Sequence, residues 1–162
     1  MTPEHLGVWP RSSLLRSRAS PLVLYAVCAA FLFGGAELIS TLTRLPDEGL
    51  DDLARTNPFF IGGLLFVVLS GEALLLTAAP IEIAQRLWRQ PLVGALIGIL
   101  IYAVGMHWSK GWEGILLTGW IALVIAAAYL LQRRTSRMLA VLQALGLKWA
   151  FAAFALFTIF SP

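Results

Sequence analysis

The chain has 162 residues, of which 59% are hydrophobic and 13% charged, and its mean hydropathy is +0.80. These proportions are far from those of soluble domains and indicate an integral membrane protein. The single cysteine, Cys28, excludes an intramolecular disulfide, a CxxC redox centre and a multi-thiolate metal site. The net charge of +3 comes from short basic clusters beside apolar segments, which indicates membrane topology rather than nucleic-acid binding.

Five apolar segments have the length expected of helices that cross a bilayer. We predict an all-α polytopic fold with spans over residues 21–42, 58–84, 91–107, 114–131 and 138–160. Pro80 predicts a kink near the end of the second span. Residues 1–20 form a basic N-terminal segment, and residues 21–162 form the transmembrane domain. The acidic connector 43–57 is predicted to be a solvated loop, with a short amphipathic turn as the alternative.

The distribution of lysine and arginine predicts the orientation of the spans. One side of the predicted membrane holds eight arginines: Arg11, Arg16, Arg18, Arg86, Arg89, Arg133, Arg134 and Arg137. The other side holds three basic residues together with five acidic ones: Arg44, Arg55, Lys110, Asp47, Glu48, Asp51, Asp52 and Glu113. We therefore expect a multi-pass protein of the inner membrane, with its N-terminus in the cytoplasm and its C-terminus outside.

Four ionisable side chains fall inside the predicted spans: Glu37, Glu72, His107 and Lys148. Such groups are costly in a bilayer unless they are paired or hydrated, so each is a candidate functional residue. At about 1.5 Å per residue, Glu72 and Lys148 both lie roughly 15–20 Å from the cytoplasmic ends of their spans, which predicts an ion pair between them. Glu37 and His107 both lie roughly 24 Å from that side, which predicts a second polar pair near the outer surface.

Small residues flank Lys148 at helical spacing. Ala144 and Ala152 lie four residues to either side of it on the fifth span. Because small residues mark the contact faces of membrane helices, this spacing predicts that the ammonium points into the bundle.

The third span carries a GxxxG pattern at Gly94 and Gly98, with Gly105 one heptad further on. These glycines predict close packing among the third, fourth and fifth spans. If the same surface also binds a partner protein, leucine at Gly94 or Gly98 should reduce association.

Three stretches of the sequence share their order with a known enzyme layout: Gly71-Glu72 to Leu76, Ala103 to His107, and Lys148 to Ala152. Over about residues 58–160 the chain resembles the CAAX-protease and bacteriocin-processing family of glutamate-dependent intramembrane peptidases. That family has an EExxxR motif on one helix and a histidine that ends FxxxH on the next. Two helices later it has a histidine followed four residues on by asparagine or aspartate. The resemblance implies that an active member would use Glu72 and His107 to activate water.

Glu72 and His107 keep the residue types of that family. The first glutamate, the arginine, the last histidine and its polar follower are replaced here by Gly71, Leu76, Lys148 and Ala152. An alternative register through Glu82 and Arg86 restores the glutamate-to-arginine spacing but places Ile81 at the first glutamate. Because an ammonium is not a metal ligand, the sequence predicts a family-like scaffold without the enzyme chemistry, and no metal or cofactor.

The sequence favours a noncatalytic membrane protein that acts through helix contacts, as an accessory or assembly subunit of a larger complex. Its expected partners are the lipid bilayer and other integral membrane proteins, not nucleic acid. Two alternatives remain open. One is an intramembrane peptidase that uses Glu72 and His107, and the other is a proton or small-ion pathway through Glu37, Glu72 and Lys148.

Overall fold

The computed structural model describes residues 20–43 and 58–160, and every regular element in these two ranges is helical. Four helices are long and apolar enough to cross a membrane, and a fifth apolar helix, Pro91–Gly105, is shorter. This confirms the prediction of an all-α protein with several helices that could span a membrane. Of the predicted connector 43–57 only Thr43 is described, and it is the last residue of a helix. Residues 44–57 and residues 1–19 of the basic N-terminal segment lie outside the described residues.

The helices follow the predicted spans with small shifts at their ends. In chain order they are α1 (Pro21–Thr43), α2 (58–88), α3 (Pro91–Gly105), α4 (Gly111–Gln132) and α5 (Arg137–Phe160). Helix α2 continues past the predicted end at residue 84 to Trp88, whereas α3 ends before His107. A short 3₁₀ turn, Trp108–Lys110, leads into α4, which begins at Gly111 with φ +72°. That left-handed backbone favours glycine.

A π-helical segment, Ala73–Ala78, interrupts α2 ahead of Pro80. Proline has no amide hydrogen, so an α-helix cannot give the carbonyl of Leu76 its usual donor at residue 80. The wider π turn accommodates this break without ending the helix. The distortion expected at Pro80 therefore begins directly after Glu72.

Helix α4 is the centre of the bundle. In α4, 50% of the most apolar 18-residue stretch is buried. In each of the other three long helices, 28% or less of the corresponding stretch is buried. Ile125 of α4 is fully buried in a core cluster that also contains Leu32 of α1, Ile81 of α2 and Leu147 of α5. The remaining helices therefore pack around α4 and leave much apolar surface on the outside.

Two long-range hydrogen bonds fix α1 against the bundle. The indole Nε1 of Trp120 in α4 donates to the backbone carbonyl of Phe31 at 3.1 Å. The hydroxyl of Tyr25 donates to the carbonyl of Gly146 in α5, also at 3.1 Å. A Cβ atom at Gly35 would lie under 3.0 Å from the Trp120 indole, so this close approach requires glycine.

The glycine pair of α3 packs on α2, which corrects the contact predicted from the sequence. A Cβ atom at Gly94 would lie under 3.0 Å from the carbonyl oxygen of Pro80, and one at Gly98 equally close to that of Leu76. Both glycines are buried within the chain. A leucine at either position would therefore disrupt the α2–α3 hairpin rather than test a surface for a partner protein.

The other three predicted packing residues differ in their burial. Ala144 is buried in the core cluster, and Ala152 is half-buried. Gly105 is exposed, and among the described residues a Cβ there would have only Ile101 of the same helix within 4 Å, so none of the described helices packs closely on it. Helix α3 instead contacts α4 through Ala103, which lies 3.5 Å from where a Cβ of Gly119 would be.

Candidate functional site

Glu72 of α2 and Lys148 of α5 form an ion pair inside the bundle. The ammonium Nζ of Lys148 donates a hydrogen bond to Oε2 of Glu72, and Lys148 is only 4% exposed. Glu72 is the last residue before the π-helical segment of α2. The two groups whose depth matched in the sequence are thus in direct contact, and each neutralises the other where an isolated charge would be costly.

Tyr102 of α3 completes this site, and sequence reasoning missed it. The Nζ atom of Lys148 lies 3.9 Å from the centroid of the Tyr102 ring, which is a cation–π contact. Tyr102 is 8% exposed and lies in the second π-helical segment, Ile101–Gly105. Its depth could have identified it from the sequence, because Tyr102 lies about 17 Å from the start of α3, at the level of Glu72 and Lys148.

His107 follows α3 and contacts the C-terminal end of that helix. Its Nδ1 lies 2.8 Å from the carbonyl oxygen of Tyr102, and its ring meets the Tyr102 ring edge-on with 4.8 Å between centroids. The imidazole therefore satisfies a carbonyl at the end of α3.

The outer polar pair predicted from depth is not formed. Glu37 is exposed on α1, where its backbone carbonyl accepts hydrogen bonds from Ser40 and Thr41. Within residues 20–43 and 58–160, no hydrogen bond or ion pair joins Glu37 to His107. Equal depth brings side chains together only when their helices are neighbours and their faces are turned toward each other.

A small cavity adjoins the Glu72–Lys148 pair. It has about 10 Å³ of space for the centre of a water molecule, which is room for one water. Its polar lining comes from Glu72, Thr77, Tyr102 and Lys148, and the rest is aliphatic. His107 is not part of the lining, so the carboxylate and the imidazole do not share this cavity.

In this arrangement the charge of Glu72 is paired with that of Lys148. A general base must reach the proton that it removes, and the carboxylate of Glu72 is already bound to an ammonium. Among the described residues, His107 contacts this cluster through the backbone carbonyl and the ring of Tyr102. Within the described part of the chain, no three His, Cys, Asp or Glu side chains come together as a metal site.

A second polar cluster lies at the end of α2, around Glu82. Its Oε1 accepts hydrogen bonds from Nε of Arg133 at 2.8 Å and from the hydroxyl of Tyr129 at 3.1 Å. Nε of Arg137 lies 3.7 Å from Oε2. The cluster therefore ties α2 to the turn between α4 and α5.

Sequence reasoning did not find the Glu82 cluster. It counted Arg133 and Arg137 only toward topology, and it paired Glu82 with Arg86 in the alternative register. The structure instead directs Glu82 to α4 and α5 and leaves Arg86 exposed. The missed signal was that Glu82 and Arg133 lie near the ends of the second and fourth spans, on the same predicted side of the membrane.

The two clusters lie at different levels of the bundle. The Glu72–Lys148–Tyr102 site is set among the spans, and the Glu82 cluster lies where α2 and α4 end. No known protein family, curated protein or solved structure matches this chain.

Proposed function

We propose that this protein is a noncatalytic integral membrane protein that works through helix contacts with other membrane proteins. It acts as an accessory or assembly subunit of a larger complex in the inner membrane. In this proposal the N-terminus is cytoplasmic and the C-terminus is outside, as the arginine distribution predicts. The observation that carries the proposal is the bond between Lys148 and Glu72.

The ion pair supports a structural role because it occupies the group that an enzyme would need free. A catalytic carboxylate has to alternate between protonation states at its substrate. Glu72 is instead held by a buried ammonium, beside a cavity with room for one water. Separating the two charges would leave each unpaired inside the bundle, which is strongly unfavourable.

The resemblance to the CAAX-protease and bacteriocin-processing family belongs to the same proposal. We interpret the chain as a family-like scaffold in which Lys148, at the place of the last histidine, neutralises the retained glutamate. His107, at the place of the middle histidine, bonds to the carbonyl of Tyr102 and helps to end α3. Both retained residues then serve the fold.

Exposed apolar helix faces supply the surface for helix contacts. Only 17% of the most apolar 18-residue stretch of α1 is buried within the chain, and only 22% of that of α2. Leu22, Phe31 and Leu42 of α1 are each more than 60% exposed. Such faces contact lipid or the helices of a partner.

The first experiment tests for catalysis. Wild-type protein and Glu72→Gln are purified in detergent and assayed for peptidase turnover and for thermal unfolding. We expect no turnover in either protein and a lower unfolding temperature for Glu72→Gln. Turnover by the wild type that disappears in both Glu72→Gln and His107→Ala would replace our proposal with the peptidase alternative. Proton flux in vesicles that disappears with Glu72→Gln would replace it with the ion-pathway alternative.

The second experiment tests for a partner. The protein is purified in a mild detergent, and the mass and composition of its complex are determined. Gly63→Leu is a suitable variant because Gly63 is exposed and has nothing within 4 Å of an added Cβ. We expect a complex of fixed stoichiometry that exposed-face variants of this kind dissociate without changing the unfolding temperature. A monomer under all mild conditions would contradict the proposal.

A further inference from the structure

The end of the bundle that holds Glu82 carries an excess of positive charge. Residues 82–90 and 129–137 contain one acidic residue and five arginines: Arg86, Arg89, Arg133, Arg134 and Arg137. Arg133 is mostly buried, and the other four are exposed. We call these four exposed arginines the basic end surface.

Glu82 holds the two segments of the basic end surface against each other. One carboxylate oxygen accepts from Arg133 and Tyr129, and the other faces Arg137. Nη1 of Arg133 also lies 3.5 Å from Oε1 of Gln85. The only acidic group of these segments is thereby shared by two arginines, while Arg86 and Arg134 have no ion-pair partner among the described residues.

The Gln85–Arg133 contact brings these two arginines into one neighbourhood. Arg86 directly follows Gln85 on α2, and Arg134 directly follows Arg133 at the end of α4. Glu82 holds the two backbone segments together, so both exposed arginines lie at the same end of the bundle. Guanidinium groups donate several hydrogen bonds each and are suited to a phosphate.

A buried donor lies at the same end. Gln132 is 3% exposed, and its side-chain Nε2 has no hydrogen-bond partner among the described residues. It directly precedes Arg133, and its backbone carbonyl closes the turn by accepting from Ser136 at 3.0 Å. Because the Nε2 nitrogen is shielded from solvent, an anion at this end is bound by the exposed arginines and not by Gln132.

The position of the basic end surface indicates which kind of anion it binds. Trp88 is 55% exposed at the end of α2, and tryptophan at a helix end favours the headgroup level of a membrane. Phosphate groups of phospholipids are concentrated at that level, and basic clusters beside membrane helices attract anionic lipids.

We propose that the basic end surface binds the phosphate of an anionic phospholipid, with Arg86 and Arg134 as its principal contacts. Glu82 acts as a positioning residue that holds Arg133 and Arg137 beside them. This inference is independent of the proposed function, because lipid binding at this end requires neither a partner protein nor a particular role for Glu72.

The experiment measures lipid retention by native mass spectrometry, with the purified full chain in detergent and added phosphatidylglycerol or phosphatidylcholine. The variant is Arg86→Gln/Arg134→Gln, compared with each single substitution, and the matched control for the single substitutions is Lys110→Gln, which removes one exposed charge before α4. Each arginine near a membrane surface contributes about fivefold in affinity for anionic lipid. We expect the retention of phosphatidylglycerol relative to phosphatidylcholine to fall at least about tenfold in the double variant. The control should keep the wild-type preference.

Three results would overturn the lipid proposal. The wild type could show no preference for phosphatidylglycerol, or Lys110→Gln could weaken the preference as much as Arg86→Gln or Arg134→Gln does, which would indicate diffuse charge attraction. Glycerol 3-phosphate at the lipid concentration could also displace the lipid completely, which would indicate a site for free phosphate. If the double variant does not fold, Arg134→Lys decides the question: it keeps the charge but loses bidentate bonding, and unchanged retention of phosphatidylglycerol would count against a specific site.

Discussion

The ammonium of Lys148 lies 3.9 Å from the ring centroid of Tyr102. The same ammonium donates to Glu72, so one cation is shared by a carboxylate of α2 and an aromatic face of α3. Three helices therefore meet at this group, and both α2 and α3 depart from α-helical geometry beside it. The effects expected from substitutions of Tyr102, Glu72 and Lys148 depend on this arrangement.

Substitution of Tyr102 separates the contribution of its ring from that of its hydroxyl. Tyr102→Phe keeps the aromatic face under the ammonium, whereas Tyr102→Leu removes it. A desolvated cation–π contact contributes about 2 kcal/mol, so we expect the leucine variant to be less stable than the phenylalanine variant by about that amount. Unfolding of both proteins in mixed micelles measures the difference. Equal stability of the two variants would mean that the ring does not stabilise Lys148.

The Glu72–Lys148 pair predicts strong coupling in a double-mutant cycle. Glu72→Gln and Lys148→Met each leave one buried group without its partner, at a cost of about 3–5 kcal/mol. The double variant removes both charges, so we expect it to be more stable than either single variant. Unfolding free energies of the four proteins give the coupling. Additive effects of the two substitutions would show that the pair does not interact in solution.

Alanine substitutions distinguish the glycines that permit close packing from those that do not. Gly94→Ala and Gly98→Ala place a methyl group against the backbone carbonyls of Pro80 and Leu76, which cannot move aside as a side chain can. We expect each to destabilise the protein by about 1–3 kcal/mol. Gly63→Ala is the matched control, because an added Cβ there meets nothing within 4 Å. Thermal unfolding of the three variants checks the prediction, and a similar loss in all three would contradict it.

The Glu82 cluster predicts graded losses of stability. Tyr129→Phe removes one hydrogen bond to a carboxylate, which is worth about 1.5–3 kcal/mol. Glu82→Gln also weakens the bonds to Arg133 and Arg137, so we expect it to cost more. Protease sensitivity of the turn between α4 and α5 is a second measurement, and we expect it to rise in Glu82→Gln. An Arg86→Gln control removes an exposed charge that Glu82 does not bind, and it should leave both measurements unchanged.

The contact between Gly35 and Trp120 predicts a compensating pair. Gly35→Ala forces the Trp120 indole away and breaks its hydrogen bond to the carbonyl of Phe31, so we expect a loss of stability. In the Trp120→Leu background the space is already vacated. There the alanine should cost less than it does in the wild type, and equal costs in the two backgrounds would argue against the contact.

Several features of the fold could be predicted from the sequence because they depend on local rules. The length of each apolar segment predicts a helix, and the charges at its ends delimit it, so the observed helices start and end near the predicted residues. The rise per residue sets the depth of each polar group, which is why Glu72 and Lys148 were recognised as belonging to one level. The positions of Pro80 and the glycines also indicated where the backbone would be unusual or closely approached.

Depth and spacing do not determine which helices are neighbours, and here only the tertiary structure decided. Glu37 and His107 share a level, yet they lie on helices whose packing leaves the glutamate exposed and binds the imidazole to Tyr102. Gly94 and Gly98 could be recognised as a contact face, but not as the face that meets the carbonyls of α2. The partners of Glu82 depend in the same way on how α2, α4 and α5 are placed. The physical reason is that hydropathy fixes the length and depth of a span in the bilayer, whereas rotation about its axis and the choice of neighbour depend on side-chain packing among all the helices at once.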